Sequence, residues 1–512
     1  MPKEQKPRHV ISLPIITNPY EEQLMNRSFH ALSHIHNVLV KHVRKLLIQL
    51  EHDHEYQELR NQYLLLAHKD KDKLTSSDKE TKKQLSDAMK AIRQRIHLTD
   101  YDLQSYIKVC GKQYRNLLSS QQVQKEATRV WRSVVSYLFG KGKSVHFKKF
   151  MDFDTISGKT NLNGMRFDPS SFTATWLHHT YRIKKPSKAS ADYVYEALDS
   201  KVCYCDVKRI MFPNGWHYYL NIVLEGPTPK KLAVGNRTCG IDPGVSTMAA
   251  VSEDRAVLRE LAPDNAKYAK PIREIQYHMD RSRRQSNPNK YNLDGTINKE
   301  NHERWVYSKT YFRLRRRMKY LYAKRSRYIR QSHCELANDL LKDAKFFYIE
   351  DMNYSALGKK SSDTKRSEKT SKVVSKSGTI RQVHKFKRKK RFGRTLNNRA
   401  PAAFVSLLKQ KAELYGGRVE SVKTKDFKAS QYNHTTDTYT KVPLSQRQKV
   451  INGHTIQRDL YSAFLILNTD DTLAHPDREK CFSTFNAFVK HHDECINVMK
   501  NNHQSMKQCF GF

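Results

Sequence analysis

The chain has 512 residues, enough for two or more domains and at least one sizeable core. It carries 93 Lys and Arg against 51 Asp and Glu, a formal charge of +42 at pH 7, with 27 Tyr and 21 Phe interleaved. Such a surplus repels itself unless a polyanion neutralises it, and basic residues mixed with aromatics point to nucleic acid. A membrane partner is disfavoured: no apolar run approaches ~18 residues, "MPKEQKPRHV" is polar, and no basic amphipathic helix or lipid signal is evident. The expectation is a soluble, intracellular (cytoplasmic) protein.

Residues 8–16 read as a short strand. Leu24, Met25, Phe29, Leu32, Ile35, Leu39, Val43, Leu46 and Leu47 follow at helical spacing, and helical text runs to about Phe139. A charged stretch near "HKDKDKLTSSDKETKK" interrupts it. Gly140 and Gly142 mark a change to β-branched and aromatic text, in which "PNG" predicts a hairpin turn. This organisation gives a first strand (1–18), an inserted helical module (19–140) and the rest of the strand-rich module (141–228) that the first strand joins. "PTPKKLAVGNR" reads as a linker.

A third region begins at about 236 with "TCGIDPGVSTMAAVSED", an apolar run that stops at Asp242 before Pro243-Gly244. Asp-Pro-Gly is ordinary turn chemistry, so a plain hairpin is one reading. Residues 264–344 predict a long helical hairpin whose second arm is dense in arginine. "AKFFYIEDMN" is an apolar run ending in Glu350 and Asp351. Residues 359–391 hold 14 Lys or Arg against two acids and read as a low-complexity, disordered basic loop. "APAAFVSLLKQKAELYGG" predicts a helix with a glycine stop, and "RVESVKT" a strand. "RDLYSAFLILN" predicts a helix opening with Asp459. Residues 469–512 are expected as an uninformative C-terminal tail.

The eight cysteines show no CxxC spacing and no zinc signature. Cys203 and Cys205 would share a strand face and pack, and structural disulfides are not expected in a reducing compartment.

Three carboxylates stand beside apolar segments: Asp242 and Glu350 at strand ends, Asp459 at a helix start. Each has a structural reading: turn residue, helix-initiating acid, or first-turn acid favoured by the helix dipole. Converging, they would form a hard, all-oxygen site suited to Mg²⁺, and two such ions can drive phosphodiester cleavage. Spacing alone does not establish convergence.

"GIDPGVSTMAAVS", "FFYIEDMNYSAL" and "QRDLYSAFLI", in this order, resemble the three split RuvC motifs of the TnpB/OrfB family, transposon-associated RNA-guided DNA endonucleases related to the type V CRISPR effectors. The intervening "NNRAPAAFVSLLKQKAELYGGRVESV" also sits where that family has a helix, loop and strand. The resemblance covers 236–468; N-terminally only the order of elements extends it. It implies a multi-domain α/β protein: a RuvC/RNase H-like nuclease domain behind a strand-rich wedge module that carries a helical recognition module. It further implies Asp242, Glu350 and Asp459 as catalytic metal ligands, Mg²⁺ or Mn²⁺ as cofactor (two ions), and guide RNA and target DNA as partners. One departure is plain. The family usually has a four-cysteine zinc ribbon between its second and third motifs, whereas residues 426–456 contain no cysteine. His434 and His454 remain there, read as ordinary polar residues, so no zinc is expected.

Two basic segments are candidate nucleic-acid contacts. Arg313, Arg315, Arg316, Lys319 and Arg325 fall all around a predicted helix, which suits a guide–target duplex read through shape and backbone. Lys387, Arg388, Lys389, Lys390 and Arg391 end the basic loop, a solvated segment or a flexible arm on nucleic acid. Three alternatives stay open: a miniature type V CRISPR effector, a guide-independent RNase H-fold transposase or resolvase, and an RNA-guided DNA binder without cleavage.

Overall fold

The computed structural model describes residues 6–67, 75–140, 142–162, 164–358, 366–374, 380–386, 392–443, 445–502 and 510. The chain divides into two compact units, 1–229 and 230–512, the division falling inside the stretch read as a linker.

The first unit runs β1 (Arg8–Ile16), α1 (Pro19–His52), α2 (His54–Ala67), α3 (Ser76–Arg95), α4 (Asp100–Lys112) and α5 (Ser120–Leu138). It continues with β2 (Thr155–Ser157), β3 (Met165–Asp168), β4 (Thr173–Trp176), β5 (His179–Ile183), α6 (Lys188–Leu198), β6 (Val202–Phe212) and β7 (Gly215–Glu225). In β1 the residues His9, Ile11, Leu13 and Ile15 alternate inward, the period-2 pattern of a half-buried strand. It pairs with β7 and β5 inside a seven-stranded antiparallel sheet of order β2-β6-β7-β1-β5-β4-β3. Pro213 and Asn214 link β6 to β7, and Gly215 takes φ 139° there, a conformation open to glycine. Helix α1 starts at an Asn18/Glu21 capping box with Pro19 in its first turn. It buries Met25, Phe29, Leu32, Ile35, Leu39, Val43 and Leu47 against the unit's core.

The buried Arg209 guanidinium of β6 has Phe29, Phe150 and Trp216 rings at 4.2, 4.3 and 4.0 Å and donates to the Phe150 and Phe153 carbonyls. Burial pushes it down to about 10. Such an arginine spends its charge on holding helix to sheet.

The second unit runs β8 (Arg237–Pro243), β9 (Thr247–Ser252), β10 (Ala256–Glu260), α7 (Ala269–Ser286), α8 (Lys309–Leu341), β11 (Ala344–Glu350) and α9 (Tyr354–Gly358). Then come β12 (Arg366–Val374), β13 (Ile380–Phe386), α10 (Gly393–Arg399), α11 (Pro401–Leu414), β14 (Arg418–Val422) and α12 (Thr424–Phe427). The last elements are β15 (Tyr432–Asn433), β16 (Thr438–Tyr439), β17 (Gln448–Ile451), β18 (His454–Gln457), α13 (Arg458–Leu467) and α14 (Arg478–Asn501).

A five-stranded mixed sheet, β10-β9-β8-β11-β14, organises this unit: β10, β9 and β8 are antiparallel neighbours, while β8, β11 and β14 run parallel. Every residue of β9 is buried, as befits a strand covered on both faces. Its Ala249 and Val251 join a core with α13 and α14, and its Met248 and Ala250 join one with α8 and α11. The segment expected as a C-terminal tail therefore carries α14, whose Cys481, Phe485, Phe488, Val489 and Ile496 close one face of the sheet.

Within the segment expected as a basic loop, β12 and β13 pair as antiparallel strands. The described cysteines are free, Cys205 buried and Cys203 half-buried. Among the described residues, no helix is long and apolar enough to cross a membrane.

Candidate active site

Asp242 and Glu350 are placed by strand register. Ile241 of β8 is level with Ile349 of β11, so the next residues, Asp242 and Glu350, end neighbouring parallel strands at the same height. Adjacent strands lie ~4.8 Å apart. The turn reading of Asp-Pro-Gly also holds, since β8 returns as β9 with Pro243 opposite Met248. One motif thus makes a hairpin and positions a carboxylate.

Asp459 arrives on a helix. Helix α13 packs on β8 so closely that a Cβ added to Gly240 would lie 2.3 Å from the Ala463 carbonyl oxygen and 2.3 Å from the Leu467 nitrogen. Asp459 lies one turn before Ala463, ~6 Å along the helix; Asp242 lies two residues past Gly240, ~6.6 Å along the strand. The matched rises carry the two carboxylates toward each other.

The electrostatics record that approach. Burial pushes the Asp242 carboxyl well above the usual carboxylate range, and the charges of Glu350 and Asp459 push it further, against a smaller pull from Arg458 and Arg447. Asp242 keeps a small opening to solvent although protein crowds it on nearly all sides. Burial also raises Glu350. The structure brings the three expected acids into one field.

Three further side chains complete the site. Asp459, 13 % exposed, has one oxygen 3.2 Å from Arg458 and the other 3.4 Å from Arg447. Arg458 also donates to the Gln446 carbonyl at 3.1 Å, which ties α13 to the cysteine-free segment. The Tyr354 hydroxyl donates to the Pro243 carbonyl at 3.2 Å and strikes across the end of β8. Its phenol is raised by burial and then by Asp242, Glu350 and Asp351.

The donor set is hard oxygen, and a cluster of buried like charges is what a divalent cation relieves. Among the described residues, however, no three acid, His or Cys side chains stand close enough to hold one ion together. Asp459 is turned to its two arginines instead. The donor chemistry fits a divalent metal, and a shared ion requires Asp459 to exchange arginine for metal.

The cysteine-free segment is held by aromatic packing. His434 lies among Tyr461, Phe464, Phe482 and Phe485, and its Nδ1 is hydrogen-bonded to the Tyr461 hydroxyl at 2.7 Å. Burial pushes its imidazole down to about 4, so the ring is neutral. His454 is exposed on β18.

Helix α8 buries nothing between Lys309 and Tyr328; its buried residues begin at Ile329. Ten Lys or Arg and no acid fall between Lys309 and Arg330. Arg313 and Arg316 are exposed, Arg315, Lys319 and Arg325 half-buried, and Arg325 lies 5.2 Å from the Tyr322 ring. Lys387–Arg391 lie outside the described residues.

No family model matches the chain, and no curated protein matches it in sequence. Among solved structures, it is similar to the protein of a Cas12f1–sgRNA–target DNA complex at 12 % identity, over 90 % of this chain and 99 % of that one, TM-score 0.44. A CRISPR–Cas12f ternary complex matches at 12 % identity over 90 % and 99 %, TM-score 0.24. A Cas12i1 R-loop complex before target DNA cleavage matches at 8 % identity over 94 % and 64 %, TM-score 0.24. At TM-scores below 0.5 these likenesses are weak.

Proposed function

We propose that this chain is an RNA-guided DNA endonuclease whose second unit is a RuvC/RNase H-like nuclease domain using Asp242, Glu350 and Asp459. One observation carries the reading: two level carboxylates at the ends of adjacent parallel strands and a third from a helix seated on Gly240, with the charges of Glu350 and Asp459 both bearing on Asp242. The three antiparallel plus two parallel strands support the domain assignment. The resemblance of the three motifs to the TnpB/OrfB family supports guide dependence and transposon association over a CRISPR setting.

Mg²⁺ or Mn²⁺, as a pair of ions, would be held by Asp242 and Glu350 with Asp459, and would supply an activated water and charge relief at the leaving oxygen. The chain's own residues set the rest. Burial keeps Asp242 poised, and Tyr354 fixes the turn that carries it. The unburied cationic length of α8 takes the backbone of a guide–target duplex through phosphate contacts. Guide RNA and target DNA are accordingly the proposed partners, with residues 1–18 and 141–228 as a wedge module and 19–140 as a recognition module.

The test is to purify the chain from its native locus, sequence the RNA that travels with it, and offer DNA matching that RNA. A discrete RNA and guide-matched cleavage lost in Asp242→Ala support the reading. Cleavage without RNA favours a guide-independent transposase or resolvase. A second reading, a guide-dependent binder that does not cut, draws on the pairing of Asp459 with Arg447 and Arg458. Tight guide-matched binding with no cut in either metal would favour it.

A further inference from the structure

Beyond the carboxylates, the ends of β11 and β14 frame a cleft of about 850 Å³. Glu350 and Val422 are register partners there, so the cleft opens one strand away from Glu350, on the side opposite Asp242. Its walls come from two segments, residues 351–357, which run into α9, and residues 421–426, from the end of β14 into α12. The Thr424 hydroxyl donates to the Asp351 carbonyl at 3.1 Å and ties the two segments together.

The lining is divided by chemistry. Met352, Leu357 and the buried Val422 supply an apolar wall, while Asp351, Asn353 and Asp426 stand on the rim. Lys423 also lines the cleft, but the two acids leave its rim net negative, which disfavours a phosphate. A flat apolar group carrying N–H donors on its edge meets both requirements, because carboxylates accept from ring and exocyclic nitrogens.

We propose that this cleft is a nucleobase subsite, holding one unpaired base of the DNA strand beside the phosphodiester presented to Asp242 and Glu350. The proposal rests on the nuclease reading for the identity of that strand. A base can enter only after leaving its pair, so the site acts on a strand that is locally single. Bases with two or more edge donors, guanine above all, suit the two acids better than thymine, with its single N–H.

The experiment uses the full chain with its co-purified RNA and single-stranded DNA in which one abasic nucleotide is walked across the cut. In parallel, 5-iodopyrimidine is placed at each position and photo-crosslinks are mapped. Expected is a rate loss on the order of tenfold at one position next to the cut, as for ~50 Å² of apolar surface no longer buried. A crosslink from that position should fall within 351–357. In Leu357→Glu the intact strand should lose the same factor and the abasic penalty should vanish; Asp426→Asn, an exposed change, should narrow the guanine preference.

Cleavage that ignores every abasic position, with no crosslink in either segment, overturns the subsite and leaves the nuclease. A crosslink without cleavage keeps the subsite and overturns the nuclease. Neither cleavage nor crosslink overturns both.

Discussion

Gly240 and Ala463 set the distance between helix and sheet at the candidate site: a methyl group on Gly240 would sit 2.3 Å from the Ala463 carbonyl oxygen. The obstacle is backbone, which cannot swing aside. Gly240→Ala should therefore destabilise the second unit by ~1–3 kcal/mol, as overpacked cores do. It should also slow cleavage by displacing Asp459. Thermal melts and cleavage rates measured together would decide; parental values in both would show that α13 shifts without cost.

Asp242 makes stability depend on pH. Its folded-state pKa is raised by burial first, and then by Glu350 and Asp459. The folded chain thus holds a proton that the unfolded chain releases at ~3.9. This contribution to stability is complete below that pH and is lost as pH rises through the folded value. Without divalent ions, Asp242→Asn should melt higher than the parent at neutral pH, the gap closing toward about pH 4. It should also abolish cleavage while RNA and target binding persist. A neutral-pH melting point at or below the parent's would mean that the buried charge is compensated.

Arg447 pairs with the Asp459 carboxylate, which the proposed site would offer to a metal, at 3.4 Å. Arg447→Ala removes a half-exposed cation, so stability should change by under ~1 kcal/mol. Mg²⁺ affinity should rise, because one carboxylate oxygen is released. Calorimetric titration of Mg²⁺ into both proteins tests this, and weaker binding in the variant would show that Arg447 aims the carboxylate.

Strands β12 and β13 form a two-stranded sheet of their own, outside the five-stranded sheet. Deleting residues 361–389 should leave the fold's melting point unchanged. Nucleic-acid binding should weaken similarly across sequences, and each lost phosphate contact should lower the slope of log K against log salt by ~0.7–0.9. An unchanged slope in salt-titrated binding would make it a solvated segment only.

The apolar runs that end in Asp242 and Glu350 are readable because a strand buried on both faces is continuous in text and its closing carboxylate stands out. Asp459 is readable for a similar reason, at the head of an apolar helix. The arginines are harder to see: Arg447 and Arg458 are two cations among 93 Lys and Arg, and only tertiary contact singles them out. Helix α14 hides differently. Its stripe of Cys481, Phe485, Phe488, Val489, His492, Ile496 and Met499 has helical spacing, yet a cysteine and a histidine serve in it as core residues. Tyr354 and the cleft beside Glu350 depend on how loops fold back, which no periodicity encodes.

Helix α14 also sets an order of events. Its buried His492 accepts the Gln457 backbone N–H at 2.9 Å, and the Gln457 side chain caps α13 through the Leu460 N–H at 2.7 Å. His492→Leu should leave that N–H unsatisfied at a cost of ~1–3 kcal/mol, readable as a lower melting point. During synthesis, the ribosome releases α13 before the helix that steadies it. In a nascent chain, α13 and the Asp459 it carries therefore lack the His492 contact until α14 has emerged. Stalled chains released at residue 470 should bind nucleic acid through α8 and leave DNA intact; cleavage by them would show that α13 seats itself.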